Sequence, residues 1–327
     1  MKRPVNVLWL AVFACAAAGS LPDEARAQVY PSKPIRVIVP FAPGGGADLV
    51  GRLVAQKLTE SFKQQAIVDN RAGAAGRIGA ELVAKAPPDG YTLLMATTSL
   101  MITAPALYAK LPYDVQKDFA PVTLLASGSY VLVVHPSVPA KTVRELIAIA
   151  KSKKGALNYA SSGSGGPAHL AAELFKSMAG VDMTHIAYKG SAPGTMAVLA
   201  GETDLMFSNI SPAIPAIQSN RLRGIAVTSE KRSSMLPQLP TVAESGLPGF
   251  RVETLYAMLA PAATPHDIIA LLNAELVKAF DSADVRKRLA SDGTEAMVSS
   301  PENLGKLIRD ETRIWTKVIR DAGIKPE

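Results

Sequence analysis

The sequence has 327 residues, 48% hydrophobic and 19% charged, which is too long for one ordinary core and too apolar for a disordered chain, so two domains are expected. Its net charge of +7 is thinly spread. The densest basic run, Lys151, Ser152, Lys153 and Lys154, reads as the solvated end of a helix, and no basic cluster is interleaved with aromatics, so a single-strand nucleic-acid groove is excluded. A mild positive field would instead help draw in an anionic ligand.

The N-terminus has the order of a secretory leader. Lys2 and Arg3 precede a short apolar stretch over 7–18, and Ala25, Arg26 and Ala27 give a small-x-small cleavage site. Cleavage after Ala27 removes three basic and two acidic residues, leaving the mature chain at +6. It also removes Cys15, the only cysteine, so the mature protein has no disulfide, no thiol nucleophile and no Cys-ligated metal. No later stretch is apolar for 18 residues, and a soluble protein is expected.

In chain order, 35–41 reads as a buried strand running into the glycine loop Gly44, Gly45, Gly46, Ala47 and Asp48. A helix follows over 49–58 with Leu49, Leu53, Val54 and Leu58 on one face, and Asp48 takes the N-cap or first-turn place. Strands are predicted at 66–69, 91–96 and 131–134, then a helix over 143–151 capped by Thr142. The first pattern then returns. A strand at 157–160 enters Ser161, Ser162, Gly163, Ser164, Gly165 and Gly166, and Pro167 opens a helix to 178 with Leu170, Leu174, Phe175 and Met178 as its buried stripe. Strands at 183–188, 204–207 and 222–227 alternate with helices near 194–200 and 213–219. After a proline-marked irregular segment come a strand at 253–260 and helices at 267–280, 283–291 and 301–322. Such alternation implies α/β architecture with parallel sheets and helices on both faces.

The two strand–glycine loop–helix units carry the chemistry. Each places unpartnered backbone N–H groups and a positive helix end at the C-terminal edge of a strand, where an anion is stabilised, and glycine leaves no Cβ in the ligand's way. Facing each other from two domains, they could grip a molecule bearing one or two carboxylates. Either loop alone reads better as a tight turn; the pair together points to ligand binding.

Enzyme motifs fit poorly. A dinucleotide fingerprint would need a glycine where Leu49 stands, and Asp48 would repel a pyrophosphate. A hydrolase elbow would need glycine where Ser162 precedes Ser164. His135, His169, His185 and His266 lack metalloprotease spacing, and only His169, just after the second loop, is placed to support a site.

These residues resemble the tripartite tricarboxylate transporter substrate-binding proteins, also called Bug receptors. The resemblance covers essentially the whole mature chain. It rests on Tyr30-Pro31-Ser32-Lys33-Pro34, Pro40-Phe41-Ala42-Pro43-Gly44-Gly45-Gly46-Ala47-Asp48, Asn70-Arg71-Ala72-Gly73, Pro88-Asp89-Gly90-Tyr91, the loop 158–169, His185-Ile186-Ala187-Tyr188-Lys189-Gly190 and Leu239-Pro240-Thr241. It implies a type II periplasmic-binding-protein-like fold, with two α/β domains around a ligand cleft. Residues 28–128 plus 252–327 would form one domain and 129–251 the other. It also implies a periplasmic, monomeric receptor that is not an enzyme, needs no cofactor or metal, and captures a small organic acid or amino acid for membrane permease subunits. The binding loops map onto Gly44 to Asp48 and Ser161 to Gly166, with Thr98 and Ser99 lining the cleft and Asp204 as either a contact or a cap. A sensory receptor, or a secreted hydrolase using Ser162 or Ser164, are the alternatives. The chain departs from the family at Ala75, Leu255 and Ala257, which bears on ligand identity.

Overall fold

The computed structural model describes residues 30–152, 155–188, 190–321 and 323–324; the expected leader with Cys15, and Lys153, Lys154 and Lys189, lie outside the described residues. The chain divides at Ser32, and the fold below is that of the unit beginning at Lys33.

The first half is built on β1 (Ile35–Val39), whose run of branched apolar residues is buried on both faces. It lies parallel between β2 (Ala66–Asn70) and β3 (Thr92–Thr97), with Val37 level with Val68 and Leu93. Helix α1 (Gly46–Phe62) joins β1 to β2, and α2 (Arg77–Ala84) precedes β3. The two helices take opposite faces. A methyl at Gly51 would meet Val39 and Met95, so α1 covers the face carrying alternate residues Val39, Met95 and Thr97, whereas Gly79 of α2 lies against Pro40. A π-helical turn (Ser99–Thr103) and short α3 (Ala104–Leu107) follow β3.

Strand β4 (Phe119–Val134) is sixteen residues long, where the sequence suggested only 131–134. Pro121 and Gly128 hid its first part; the ladder bulges between Pro121 and Thr123, which accommodates the missing N–H. Up to Ser129, β4 pairs antiparallel with β9 (Glu253–Pro261); from Tyr130 it pairs with β7 (Leu205–Asn209), and from Val131 with β8 (Arg223–Val227). The first sheet runs β2-β1-β3-β9-β4, with β10 (Thr294–Ala296) added on β4. The second runs β6-β5-β7-β4, with β8 on the far side of β4; β5 is Asn158–Ser161 and β6 is Thr184–Ala187. The halves therefore repeat one plan: three parallel strands followed by an antiparallel strand.

Helices α4 (Val143–Ser152), α5 (Pro167–Ala179), α6 (Ser191–Ala200) and α7 (Ile210–Gln218) serve the second half. In α4 the Glu145 N–H donates to Thr142 Oγ1 at 3.2 Å, the cap expected from sequence. The buried stripe of α5 is Leu170, Ala171, Phe175 and Ala179, with Met178 37% exposed, so the face is rotated from the one predicted. In α1 the fully buried positions are likewise Val50, Val54 and Leu58, while Leu49 and Leu53 are half-buried. Helices α8 (His266–Phe280), α9 (Ala283–Ala290) and α10 (Pro301–Asp321) return to the first half, α10 burying Leu304, Ile308, Trp315 and Ile319.

Two threonines tie down the segments that pass between the sheets. Fully buried Thr228 accepts from Tyr130 N–H at 2.9 Å and donates to Val252 C=O at 2.6 Å. Thr98 accepts from Leu255 N–H at 2.7 Å and donates to Glu253 C=O at 3.3 Å. Thr228→Val would leave a buried donor and acceptor unpaired, so it is expected to cost about 2–3 kcal/mol and lower Tm by roughly 5–10 °C. Thermal unfolding reads this directly, and an unchanged Tm would refute the clamp.

Candidate ligand-binding site

Helices α1, α5, α6 and α7 follow directly on the C-terminal ends of β1, β5, β6 and β7. None has a side-chain cap: their N-caps are Gly45, Gly166, Gly190 and Asn209. In α1 the first helical bond is Leu49 N–H to Gly45 C=O at 3.0 Å, which leaves the N–H groups of Gly46 and Ala47 without helical partners. The dipole adds positive potential where those donors point.

The first loop is held from beneath by Asp48, whose side chain is 5% exposed. It accepts from Gly44 N–H at 3.0 Å, Arg52 Nε at 2.9 Å and Asn70 Nδ2 at 3.0 Å. Burial pushes the Asp48 pKa up, but the hydrogen bonds from Arg52, Gly44 and Asn70 outweigh it and hold the carboxyl below its usual range. Asp48 thus organises the loop through internal bonds. Gly44 has φ of +90°, open to glycine but strained for other residues, whereas Gly45 has φ of −88° and a methyl added there would meet nothing within 4 Å.

The second loop has its own support. Gly163 N–H donates to Ser161 Oγ at 3.1 Å, and Gly165 N–H donates to His169 Nδ1 at 2.9 Å. His169 lies stacked on His185, ring centres 4.0 Å apart, and His185 Nε2 is 2.6 Å from Ser161 Oγ. Beneath them Tyr159 donates to Glu173 Oε1 at 2.5 Å, with Lys176 Nζ at 2.8 Å from the same oxygen. Burial, and then Glu173, push the Tyr159 pKa up, keeping the phenol protonated as this donor. His185, Tyr159, Glu173 and Lys176 were not singled out from sequence as site residues; His185 sits five residues before Gly190, the cap of a helix, a weak signal.

Among the described residues, and apart from Thr203 just before β7, the buried hydroxyls without a partner are Thr97 Oγ1, Ser164 Oγ and Ser191 Oγ. They sit at the end of β3, in the second loop and at the start of α6. Thr98, the residue expected to line the cleft, spends its hydroxyl on β9, and strand alternation turns Thr97 to the α1 face instead. Ser99 is half-buried at the start of the π-helical turn. Ser162 is half-buried beside Gly166. Asp204 precedes β7 and accepts from Asn158 N–H at 2.7 Å, at the edge of the sheet opposite the loops, so it caps strand ends and does not join the other candidates. The halves meet near the second loop, where a methyl on Gly165 would come within 2.7 Å of Leu107 Cδ2.

A crevice of about 300 Å³ is lined by Thr98, one of the expected cleft residues, with Ile102, Leu174, Arg251, Glu253 and Trp315. Among the described residues no helix is long and apolar enough to cross a membrane, and no group of three or more His, Cys, Asp and Glu side chains is placed to hold a metal ion.

A profile described as the tripartite tricarboxylate transporter family receptor matches residues 50–324. Protein BugT of Bordetella pertussis is 36% identical over 310 residues, covering 94% of this chain and 95% of the relative. Two solved structures superpose closely. Rpa4515 of R. palustris with adipate has a TM-score of 0.83 at 36% identity, covering 91% of this chain and all of that one (100%). MatC of Rhodopseudomonas palustris with bound malate has a TM-score of 0.78 at 33% identity, covering 89% and 100%.

Proposed function

Since the chain belongs to the tripartite tricarboxylate transporter receptor family, we propose that it is a periplasmic solute-binding protein that captures a small mono- or dicarboxylate and delivers it to membrane permease subunits. The adipate- and malate-bound relatives support a carboxylate ligand. The observation that carries the reading is the set of uncapped helix starts at the strand ends, accompanied by partnerless hydroxyls. Such a site neutralises a carboxylate with dipoles and N–H donors, each charge-assisted bond contributing roughly 1.5–3 kcal/mol.

The halves are assigned as 28–128 plus 252–327 and 129–251, because β4 changes partners between Ser129 and Tyr130. Only two crossing segments, near 129 and 252, then join them, which suits hinge closure on the ligand; the ligand's greater affinity for the closed form drives it. Secretion by a leader cut after Ala27 is part of the proposal. The hydrolase alternative rests on Ser162 or Ser164, whereas the serine hydrogen-bonded to His185 is the fully buried Ser161, which disfavours it.

The test is thermal unfolding of the mature protein, refolded free of bound acid, against adipate, malate, citrate, succinate, aspartate, glutamate and nicotinate. At 100 times the dissociation constant a bound acid adds about 2.7 kcal/mol, raising Tm by several degrees without being consumed. No rise with any acid, or turnover of one, would overturn the proposal.

A further inference from the structure

The phenol of Tyr256 reaches α1 from the crossing strand β9. A methyl on Gly46 would lie 2.3 Å from its hydroxyl oxygen, so that oxygen is pressed against the first residue of α1, whose N–H has no helical partner. On the other side a methyl on Gly128 of β4 would meet the Tyr256 ring at 3.5 Å. Tyr256 is registered with Thr97 across the β3–β9 ladder, so both side chains leave the same face, the one α1 covers. Tyr256 is 5% exposed and Thr97 4%, and the Thr97 hydroxyl has no partner. Among the described residues the Tyr256 hydroxyl also has no hydrogen bond. One buried hydroxyl, that of Thr97, and the unpartnered hydroxyl of Tyr256, a residue buried as a whole, thus stand in one row under an uncapped helix start.

We propose that Tyr256 and Thr97 are ligand-reading residues: the Tyr256 hydroxyl donates to the carboxylate held at the start of α1, with Thr97 as second donor. The inference rests on the carboxylate reading of the site. Donors from β9 make the grip on the ligand depend on the crossing strand, so a side-chain change there alters selectivity without altering either loop. A ligand group able to accept a hydrogen bond at that end is favoured, and an apolar end is rejected because both hydroxyls would stay unpaired.

Isothermal titration of the refolded mature protein with the same panel tests this. For the acid that binds wild type, Tyr256→Phe lowers affinity about 10- to 100-fold and Thr97→Val lowers it less, while the Tm of either ligand-free variant stays within about 2 °C. Tyr256→Phe binding within twofold of wild type would overturn the inference and leave the receptor reading standing. A fall in ligand-free Tm accompanying the lost affinity would assign Tyr256 a structural part and overturn it too. Wild type binding no acid in the panel would remove the receptor reading, and the inference with it.

Discussion

Gly45→Val should reduce affinity for the bound acid about 100-fold or more while leaving the fold intact. Gly45 is exposed, with φ of −88° and ψ of 172°, which valine adopts without strain, and its Cβ would meet nothing within 4 Å. The cost therefore falls on whatever approaches the N–H groups of Gly46 and Ala47. The neighbouring position gives the contrast: Gly46→Ala would drive its methyl into the Tyr256 hydroxyl and disturb β9. Titration and unfolding of Gly45→Val, run side by side, separate the two effects. Wild-type affinity in this variant would mean that the ligand does not rest on the first loop.

Asp48→Ala should destabilise the protein by about 3 kcal/mol, a Tm loss of roughly 5–10 °C, and weaken binding as well. Removing the carboxylate strands the Gly44 N–H, leaves the Asn70 amide only its bond to the Phe41 carbonyl, and frees Arg52. The pH dependence follows from the direction of the shift. The Asp48 carboxyl titrates lower in the fold than in the unfolded chain, so its stabilisation is fully present above the unfolded value of about 3.9 and is lost as pH falls through the folded value. Wild-type and Asp48→Ala melting curves should thus lie far apart at neutral pH and converge in acid. A constant gap from pH 7 to pH 3 would show that Asp48 acts by packing alone.

The parts of the fold legible in sequence were those where a local rule and the tertiary contacts agree. The strand–glycine–helix units at 35–62 and 158–179 declared themselves because an apolar run, a stretch free of Cβ atoms and a helical period follow one another within a few residues. The length of β4 was hidden because Pro121 and Gly128 are permitted only by partners distant in sequence, β9 and β10. Met178 looked like core from its spacing, but small Ala171, Ala172 and Ala179 bring α5 close to the sheet on a different face. Among candidate site residues, the loop glycines were visible from composition. Thr97 was passed over for Thr98 because the choice depends on which face α1 covers. His185 and Tyr256 could not be found locally: one meets Ser161 from 24 residues away, and the other meets Gly46 from 210 residues away.

One small carboxylate is expected to lie on the backbone N–H groups of both loops at once. Amide nuclear magnetic resonance of the refolded, isotope-labelled mature protein tests it most directly, by titration with whichever acid of the panel raises Tm. At saturation, the largest downfield proton shifts should fall on Gly45, Gly46 and Ala47 of the first loop and on Ser162, Ser164 and Ala168 of the second. Shifts confined to one loop, or centred on Arg251, Glu253 and Trp315 in the crevice beside the crossing strand, would contradict it.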